Sequence, residues 1–475
     1  MKKYIYTIIA AVAVLSSCGK DFLTEEPNLA QSDVLTLSTF DGLDKATAGA
    51  YAPVASTNWY GANLILAFEM GTGNARRWIE FEKYNSGRYI DEYSINFTPN
   101  STSPIWGQAY YVILAANQVL THIDGENIVA AEQDKNNLKA ECLFLRALAH
   151  FDLVRVYAHP YNYTSGATHD GVPYVTTVDS EAKPARETVA TVYTNIIADL
   201  LEAESLIDAD YVRAGVKDKK ASITLEAIQA LLARAYLYSN KNTEAITYAT
   251  KVIDSGKFEL WDADDFEDAA CYTADVPTGG EIIFEIYNNT SSSYGTGLEN
   301  VWGMTSYNQY GDCGASNDLL DLYEDGDARL NLVTPDADGN ALFTMKYAGK
   351  GLGSVDANNV IVLRLSEMYL IRAEALVKTG GDAAPDLAAI ASKRNATASP
   401  ATAEGVFTDR RKELCWEGHY WFDLARTGHD MDREDVSGTA IQHLAAGDYR
   451  WAKPIPQREF TVNPNLVQNP GYNVN

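Results

Sequence analysis

Apolar residues recur at helical spacing over most of the chain and lose that rhythm between residues 257 and 360. From Ile105 to Ile123, Trp106, Tyr110, Ile113, Leu114, Asn117 and Leu120 fall near one face of a predicted helix. Ala140, Phe144, Ala147, Leu148, Phe151 and Val154 form the next stripe, closed by His159-Pro160 because proline cannot continue a helix. Thr188 to Ile207 predicts a third helix. Leu225 to Tyr238 and Glu244 to Ile253 predict a hairpin of helices turning at Ser239-Asn240-Lys241-Asn242, with Gly256 as its stop. A second pair runs from Leu363 through Leu376 to Lys393 and turns at Gly380-Gly381, and a last helix covers Asp409 to Arg426. The chain then ends in a Pro/Asn-rich tail, Pro454 to Asn475.

Residues 257–360 are rich in Asp, Gly, Ser, Asn and aromatic rings, and their one clear strand is Glu281 to Tyr287. Irregular stretches of this length inside a compact protein usually carry function. A helical half with an N-terminal tether (18–256) and a loop-rich then helical half (257–475) are expected to form one compact unit. The helix pairs resemble tetratricopeptide units, but no regular period of roughly 34 residues is visible. The pattern predicts interrupted helical repeats.

The first residues set the compartment. Met1-Lys2-Lys3 is basic, Tyr4 to Leu15 is apolar, and Leu15-Ser16-Ser17-Cys18 ends the run with small residues before a cysteine. This is the form of a bacterial lipoprotein signal (1–17), with Cys18 as the lipidated residue. Two or three acyl chains anchor firmly at ~0.8 kcal/mol per buried methylene. Cys142 and Cys415 sit within helical patterns and read as core, whereas Cys271 and Cys313 lie in loop-rich sequence, where a pairing between them is open.

Charge and composition narrow the function. Thirty-eight Lys and Arg against 64 Asp and Glu give a net charge of −26, which argues against a nucleic-acid binder. No nucleophile elbow, zinc-protease or P-loop spacing occurs, and Gly71-Thr72-Gly73 and Gly349 to Gly353 read as loops. Glu417, His419 and Asp423 suggest acid–base work, but the simpler reading is a hydrogen-bond network on a helix. Asp262 to Asp268 and Asp321 to Asp327 lack calcium-loop spacing and read as solvated acidic faces. No catalytic residue, metal or cofactor is predicted.

Aromatic side chains offer the better lead. Tyr outnumbers Phe by 29 to 14, with eight Trp besides. A sugar ring stacks its C–H face on Trp or Tyr, and its hydroxyls seek planar polar groups at the ring's edge. Both ingredients interleave from Asn58-Trp59-Tyr60 through Arg76-Arg77-Trp78 to Tyr89, and again from Tyr294 through Trp302, Tyr307 and Tyr310. Candidate ligand contacts are therefore Trp59, Asn74, Arg76, Trp78, Tyr84, Trp302, Tyr307 and Tyr310. Trp78 and Trp302 are the expected anchors, since both lie in Gly/Asn/Ser-rich sequence. Trp106, Trp416 and Trp421 lie on helical stripes and read as core.

Several segments carry a family resemblance. They include Cys18-Gly19-Lys20-Asp21-Phe22-Leu23 with Glu25-Glu26-Pro27, Ala140 to Ala147 with Phe151-Asp152-Leu153-Val154-Arg155, and Asp170-Gly171-Val172-Pro173. Further on come Arg364 to Leu370 with Ala373-Glu374-Ala375, Trp416 to Leu424, and the tail segments Pro454-Ile455-Pro456, Asn463 to Leu466 and Asn469-Pro470-Gly471-Tyr472. In this order they resemble the SusD/RagB family, surface lipoproteins of Bacteroidetes nutrient-uptake systems. Tyr420 departs from the arginine that the family often carries there, and the chain is short for the family, which bears on its longer ligand loops. The resemblance implies an all-α fold in which tetratricopeptide-like helical pairs pack against a loop-rich half with a few short strands. It implies a non-catalytic binding protein on the outer membrane, facing the cell surface. Its partner would be a SusC-like TonB-dependent transporter, on which it acts as a lid. The ligand would be an oligosaccharide, held by a platform built from the two ring-rich regions. Peptides or glycopeptides are the alternative, with Arg76, Arg77 and Arg88 meeting carboxylates. A surface glycoside hydrolase is the third and least favoured reading.

Overall fold

The computed structural model describes residues 36–100, 104–216, 219–266, 280–287, 300–347, 359–438 and 440–473. Cys18, Cys271 and Tyr294 lie outside them. The principal helices of the first half are α1 (Phe40–Tyr51), α2 (Asn63–Glu69), α3 (Ile105–His122), α4 (Glu132–Tyr157), α5 (Val189–Leu206), α6 (Leu225–Tyr238) and α7 (Asn242–Asp254). The second half holds the five-residue α8 (Val301–Thr305), then α9 (Leu365–Thr379), α10 (Ala384–Lys393), α11 (Ala403–Leu414) and α12 (Tyr420–Thr427). Thr39, Thr188, Thr224 and Thr402 open α1, α5, α6 and α11. Each accepts the backbone N–H three residues on, satisfying an amide that the helix itself leaves unpaired.

From α3 to α7 each helix packs on the next, and α7 packs on α9, which continues the row to α10 and α11. The stripes that predicted α3 to α7 are the packed faces: Leu231, Leu232 and Ala235 of α6 and Phe144, Leu148 and Phe151 of α4 are fully buried. The expected all-α scaffold and its two helix pairs, α6–α7 and α9–α10, are what folds. Both halves feed one hydrophobic core running from Ala50 to Leu466. Polar ties cross it as well. Trp59 Nε1 donates to Asp152 of α4 at 2.8 Å, and Arg234 of α6 grips Glu367 of α9 at 2.7 and 2.6 Å.

The strands among the described residues pair two by two. They are β1 (Ala75–Arg76) with β3 (Gly314–Ala315), β2 (Ile282–Ile286) with β6 (Val360–Arg364), β4 (Val333–Pro335) with β5 (Leu342–Thr344), and β7 (Met431–Asp432) with β8 (His443–Leu444), all antiparallel. β6 corrects one expectation. The second helix pair starts at Leu365, not Leu363, because the apolar run before it is engaged by β2, from Ile282 opposite Arg364 to Ile286 opposite Val360.

Asp409 to Arg426 is likewise two helices. Trp416 and Gly418 adopt φ of +60° and +74°, turning the chain between α11 and α12. A Cβ at Gly418 would stand 2.8 Å from the Leu64 carbonyl oxygen, so a glycine is needed where the turn meets α2. Trp106, Trp416 and Trp421 are buried, as expected.

The break lies over a buried ion cluster. Glu413 of α11 takes Arg364 and Arg394 at 2.8 Å each and Arg329 at 3.2 Å, and Glu281 shares Arg364 and Arg394. Burial opposes the Glu413 charge, but Arg394, Arg364 and Arg329 outweigh it and hold the carboxyl well below the usual range. The acidic run Asp321 to Asp327 is only partly a solvated face. Asp321 and Asp325 are exposed, whereas Asp327 is buried against Arg329 at 2.7 Å. Cys142, Cys313 and Cys415 are free, buried thiols. Burial pushes Cys142 up to about 12, and raises Cys313 and Cys415 too.

Candidate functional site

Two rungs of β-ladder bring the ring-rich segments together. Ala75 pairs with Ala315 and Arg76 with Gly314, so the chain leaving β1 runs beside the chain entering β3. A second tie follows at Ser86, whose N–H donates to Asp312 at 2.8 Å and whose hydroxyl donates to the other oxygen. Gly314 is required at the crossing, since a Cβ there would overlap the Trp78 indole. Trp78 donates its Nε1–H to the Leu342 carbonyl of β5 at 3.0 Å. Trp78, Tyr84, Ala341 and Phe343 close into a small apolar cluster, with Phe81, Leu342 and Tyr307 packed against it. Tyr84 meets Phe343 edge-on at 4.8 Å and gives its hydroxyl proton to Asp336 at 3.0 Å.

The eight candidate contacts divide by exposure. Arg76, Trp302, Tyr307 and Tyr310 are half-buried and keep a surface toward solvent. Trp59 and Asn74 are fully buried, and Trp78 and Tyr84 keep 6% and 1% of their surface, so these four are corrected from ligand contacts to scaffold. Trp59 lies in the main core on Asp152, and Trp78 is sealed by Gly314, Leu342 and the Arg76 guanidinium 4.0 Å over its ring. Asn74 donates to Glu69 at 2.9 Å and accepts from Arg411 at 2.8 Å, which locks the end of α2 to α11. Burial pushes Glu69 up to about 7, against the hydrogen bonds from Asn74 and Gly418 that favour its charge.

Trp302 stands on α8 and not in a loop. Asn300 caps that helix by accepting the Gly303 N–H at 2.8 Å, and the Gly303 carbonyl takes the Tyr310 N–H at 3.0 Å. This fold-back sets Trp302, Tyr307 and Tyr310 on one short segment, with Asn308 exposed between them. Tyr307 rests on Phe343 with ring centroids 6.0 Å apart, and Arg88 lies 4.0 Å over Tyr310.

Charges beside the rings come as pairs. Arg76 holds Glu80 at 2.6 Å and also Asp435. Lys83 lies 4.4 Å over Tyr84 and pairs with Asp336 at 3.3 Å and Asp338 at 3.9 Å. Arg88 lies 4.0 Å from Asp312. Arg77 turns inward, 5% exposed, with one Nη donating to Asn85 at 2.7 Å. Burial opposes ionisation of Asp336, yet the Asn340 and Ala341 N–H groups, Tyr84 and Lys83 hold it at about 2.

Phe81, Phe343 and the carboxylates Asp336 and Asp435 escaped the sequence reading. Asp336 and Asp435 sit 252 and 359 residues from their partners Tyr84 and Arg76, beyond any local signal, whereas the alternating Leu342-Phe343-Thr344 was a visible one. The tail pair Tyr449 and Tyr472, edge-on at 5.1 Å, was also missed. It borders a cleft of about 360 Å³ with Phe97 and Asn100, and another of about 380 Å³ opens beside Tyr51, Arg213 and Glu285. None of the eight candidates lines either cleft.

Glu417 and Asp423 are held in structural ion networks, as the simpler reading expected, whereas His419 is buried with no hydrogen-bond partner at Nδ1. Glu417 takes Lys346 at 2.6 Å and Arg364 at 2.9 Å, while Asp423 takes Arg410 at 2.9 Å and Arg426 at 2.8 Å. Burial, with Arg234 and Arg410 nearby, drives His419 far below its ordinary value, so it is neutral. Asp430, Asp432 and His443 bring ligand-type atoms within 4.8 Å among the described residues. All three are exposed, and hydrogen bonds from His443 to Asp432 and from the Ala446 N–H to Asp430 account for the grouping.

Known proteins resemble the chain at both levels. A family model described as starch-binding and associating with the outer membrane matches residues 21–237, and a model of the SusD family matches residues 342–472. SusD-like protein P2 of Formosa agariphila is 26% identical over an alignment of 537 positions, covering 99% of this chain and 100% of its own. The starch-binding protein SusD of Bacteroides thetaiotaomicron is 31% identical over 119 residues, 24% of this chain and 22% of its own. A crystal structure of a SusD superfamily protein from Bacteroides vulgatus superposes with a TM-score of 0.81 at 29% identity, covering 91% of this chain and 98% of that one.

Proposed function

The chain belongs to the SusD/RagB family, and on that premise we propose that it is a surface glycan-binding lipoprotein serving as the lid of a SusC-like TonB-dependent transporter. The observation that carries the binding half is the row Trp302, Tyr307 and Tyr310. Half-exposed rings on one folded-back segment, with Tyr307 packed on the buried Trp78–Tyr84–Phe343 cluster and Tyr310 against the main core, form a ledge for sugar stacking. Asn308 and Arg76 flank it and suit hydroxyl recognition at the ring edge. The starch-binding description of the matching family and of the relative SusD supports a carbohydrate ligand. Binding and release need no bond-breaking group, and none is assigned.

The lid half rests on the family and on the leader. Cys18 would carry the acyl anchor, and among the described residues no helix is long and apolar enough to cross a membrane. Calorimetry of the soluble Cys18→Ala protein against panels of oligosaccharides and of peptides tests the reading. Saturable binding of an oligosaccharide is expected, together with loss of Cys18→Ala from the membrane fraction and co-purification of the anchored protein with a TonB-dependent barrel. Binding confined to peptides sinks the glycan reading, and a Cys18→Ala protein that stays in the membranes sinks the anchor.

A further inference from the structure

We infer that the ring ledge takes an uncharged oligosaccharide, discriminating against uronic, sulfated and amino sugars; the inference rests on the glycan-binding reading above. The ledge has cations around it, and taken singly they would invite an anion. Arg76, Lys83 and Arg88 each already face a carboxylate, at Glu80 and Asp435, Asp336 and Asp338, and Asp312 respectively. Each also stands over an aromatic ring, Trp78, Tyr84 and Tyr310 in turn, 4.0 to 4.4 Å from its centroid, a contact that draws on the same positive charge. Arg77 is buried and turned to Asn85, so it presents no charge at the surface.

The carboxylates are equally engaged, which argues against a cationic ligand. Asp435 accepts the Asn317 N–H at 2.7 Å and its side-chain amide at 2.8 Å. Asp312 takes the Ser86 N–H and hydroxyl, and Asp336 takes Tyr84 and the Asn340 N–H at 2.8 Å. Asp312 and Asp336 are 0% and 1% exposed at their side chains. An anionic ligand that pulled Arg88 or Lys83 away would leave a buried carboxylate short of its partner, a costly exchange. The surrounding field adds to this, since the whole chain carries −26 and repels polyanions before contact. A neutral sugar needs none of these pairs broken. It uses the ring faces for stacking and meets Asn308 and the outer edges of the guanidinium groups with hydroxyls.

Calorimetry at roughly 50 and 500 mM NaCl separates the cases, because exposed charge pairing is screened over that range and stacking is not. The probes are maltohexaose, laminarihexaose, xylohexaose and mannohexaose as neutral sugars. Hexagalacturonate and a heparin hexasaccharide are the anions, a glucosamine hexamer is the cation, and a mixed tripeptide set is the non-sugar. The expected result is binding of at least one neutral hexasaccharide, with affinity changing less than twofold between the two salts, and every charged sugar at least tenfold weaker. A charged sugar bound more tightly than any neutral one, and weakened by salt, overturns the inference and leaves the glycan reading standing. Peptides bound with no sugar bound overturns the glycan reading itself. Asp435→Asn, checked for an unchanged melting profile, loosens Arg76 and should bring measurable, salt-sensitive hexagalacturonate binding. Absence of that gain in the folded variant overturns the role given to the Arg76 pairing.

Discussion

The helical row and the ring-bearing half are stabilised by different means. Between α3 and α7 the backbone satisfies itself within each helix, and apolar stripes such as Leu231, Leu232 and Ala235 join neighbours, with a few buried ion pairs, such as Arg146 to Asp199 at 2.7 Å, set among them. Around the ring ledge the chain is irregular, and its turns are held by side chains from far away. Asp312 ties Ser86 and Asp435 ties Arg76 and Asn317, and where the row ends at α11 Glu413 ties Arg394, Arg364 and Arg329 across 19, 49 and 84 residues. A stripe loses stability in proportion to the atoms removed, whereas a buried ion cluster loses its members' compensation all at once. The ledge is therefore built to hold shape without regular secondary structure, and it depends on a few irreplaceable groups.

Substitutions can break or sharpen that contrast. Glu413→Ala leaves three buried guanidinium groups without their shared carboxylate and should cost ~4–5 kcal/mol or more in chemical denaturation. Trp78→Ala should cost ~3–5 kcal/mol by emptying the small cluster beneath the ledge, and it should weaken ligand binding only through that loss of support. Retained stability with lost binding in Trp78→Ala would restore Trp78 as a direct contact. Leu231→Ala, the counterpart in the row, should cost about 3 kcal/mol. If it cost more than Glu413→Ala, the contrast would be reversed.

Glu69 gives a pH-dependent test. Its carboxyl is raised from 4.5 to about 7, so its contribution to stability is complete below about 4.5 and fades as pH rises through 7. Glu69→Gln stays uncharged and should flatten stability between pH 5 and 8. The gain at pH 8 is on the order of 1–2 kcal/mol, because the amide nitrogen forfeits one hydrogen bond. Parallel pH profiles for the two proteins would rule out this role. The smallest effect on folding belongs to Trp302→Ala, which should melt within a few degrees of the parent. It should nevertheless bind the identified oligosaccharide tenfold to a hundredfold more weakly, ~1–3 kcal/mol. Full affinity in that variant would move the site away from the ledge.

The same contrast explains what could be read from the chain. Helices α3, α5, α6 and α7 were legible because each advertises itself within its own span, through spacing and, for α5 and α6, a capping threonine. Strand β6 was not, since Val360 to Arg364 is an apolar run that fits a buried strand or a helix start, and its partner lies about 80 residues earlier. The break between α11 and α12 had a visible sign in Gly418, but the reason for it, contact with Leu64, is tertiary. Of the ring-rich segments, sequence found both and could not say which rings face outward. Trp78 and Trp302 have similar neighbours in the chain, and only the crossing at Gly314 and the capped helix α8 separate a sealed ring from an open one.

The buried thiols turn this architecture into something that can be timed. Cys142 sits in the helical core, Cys313 beside β3 and Cys415 at the break between α11 and α12. None can react as a thiolate while enclosed, because burial raises all three. In a protein with Cys271 replaced by serine, alkylation at each site becomes a clock for the opening of its own neighbourhood. Mass spectrometry of the labelled peptides would then resolve three opening rates in one reaction. Ligand added during that reaction should slow the Cys313 clock and leave the Cys142 clock running at its own pace.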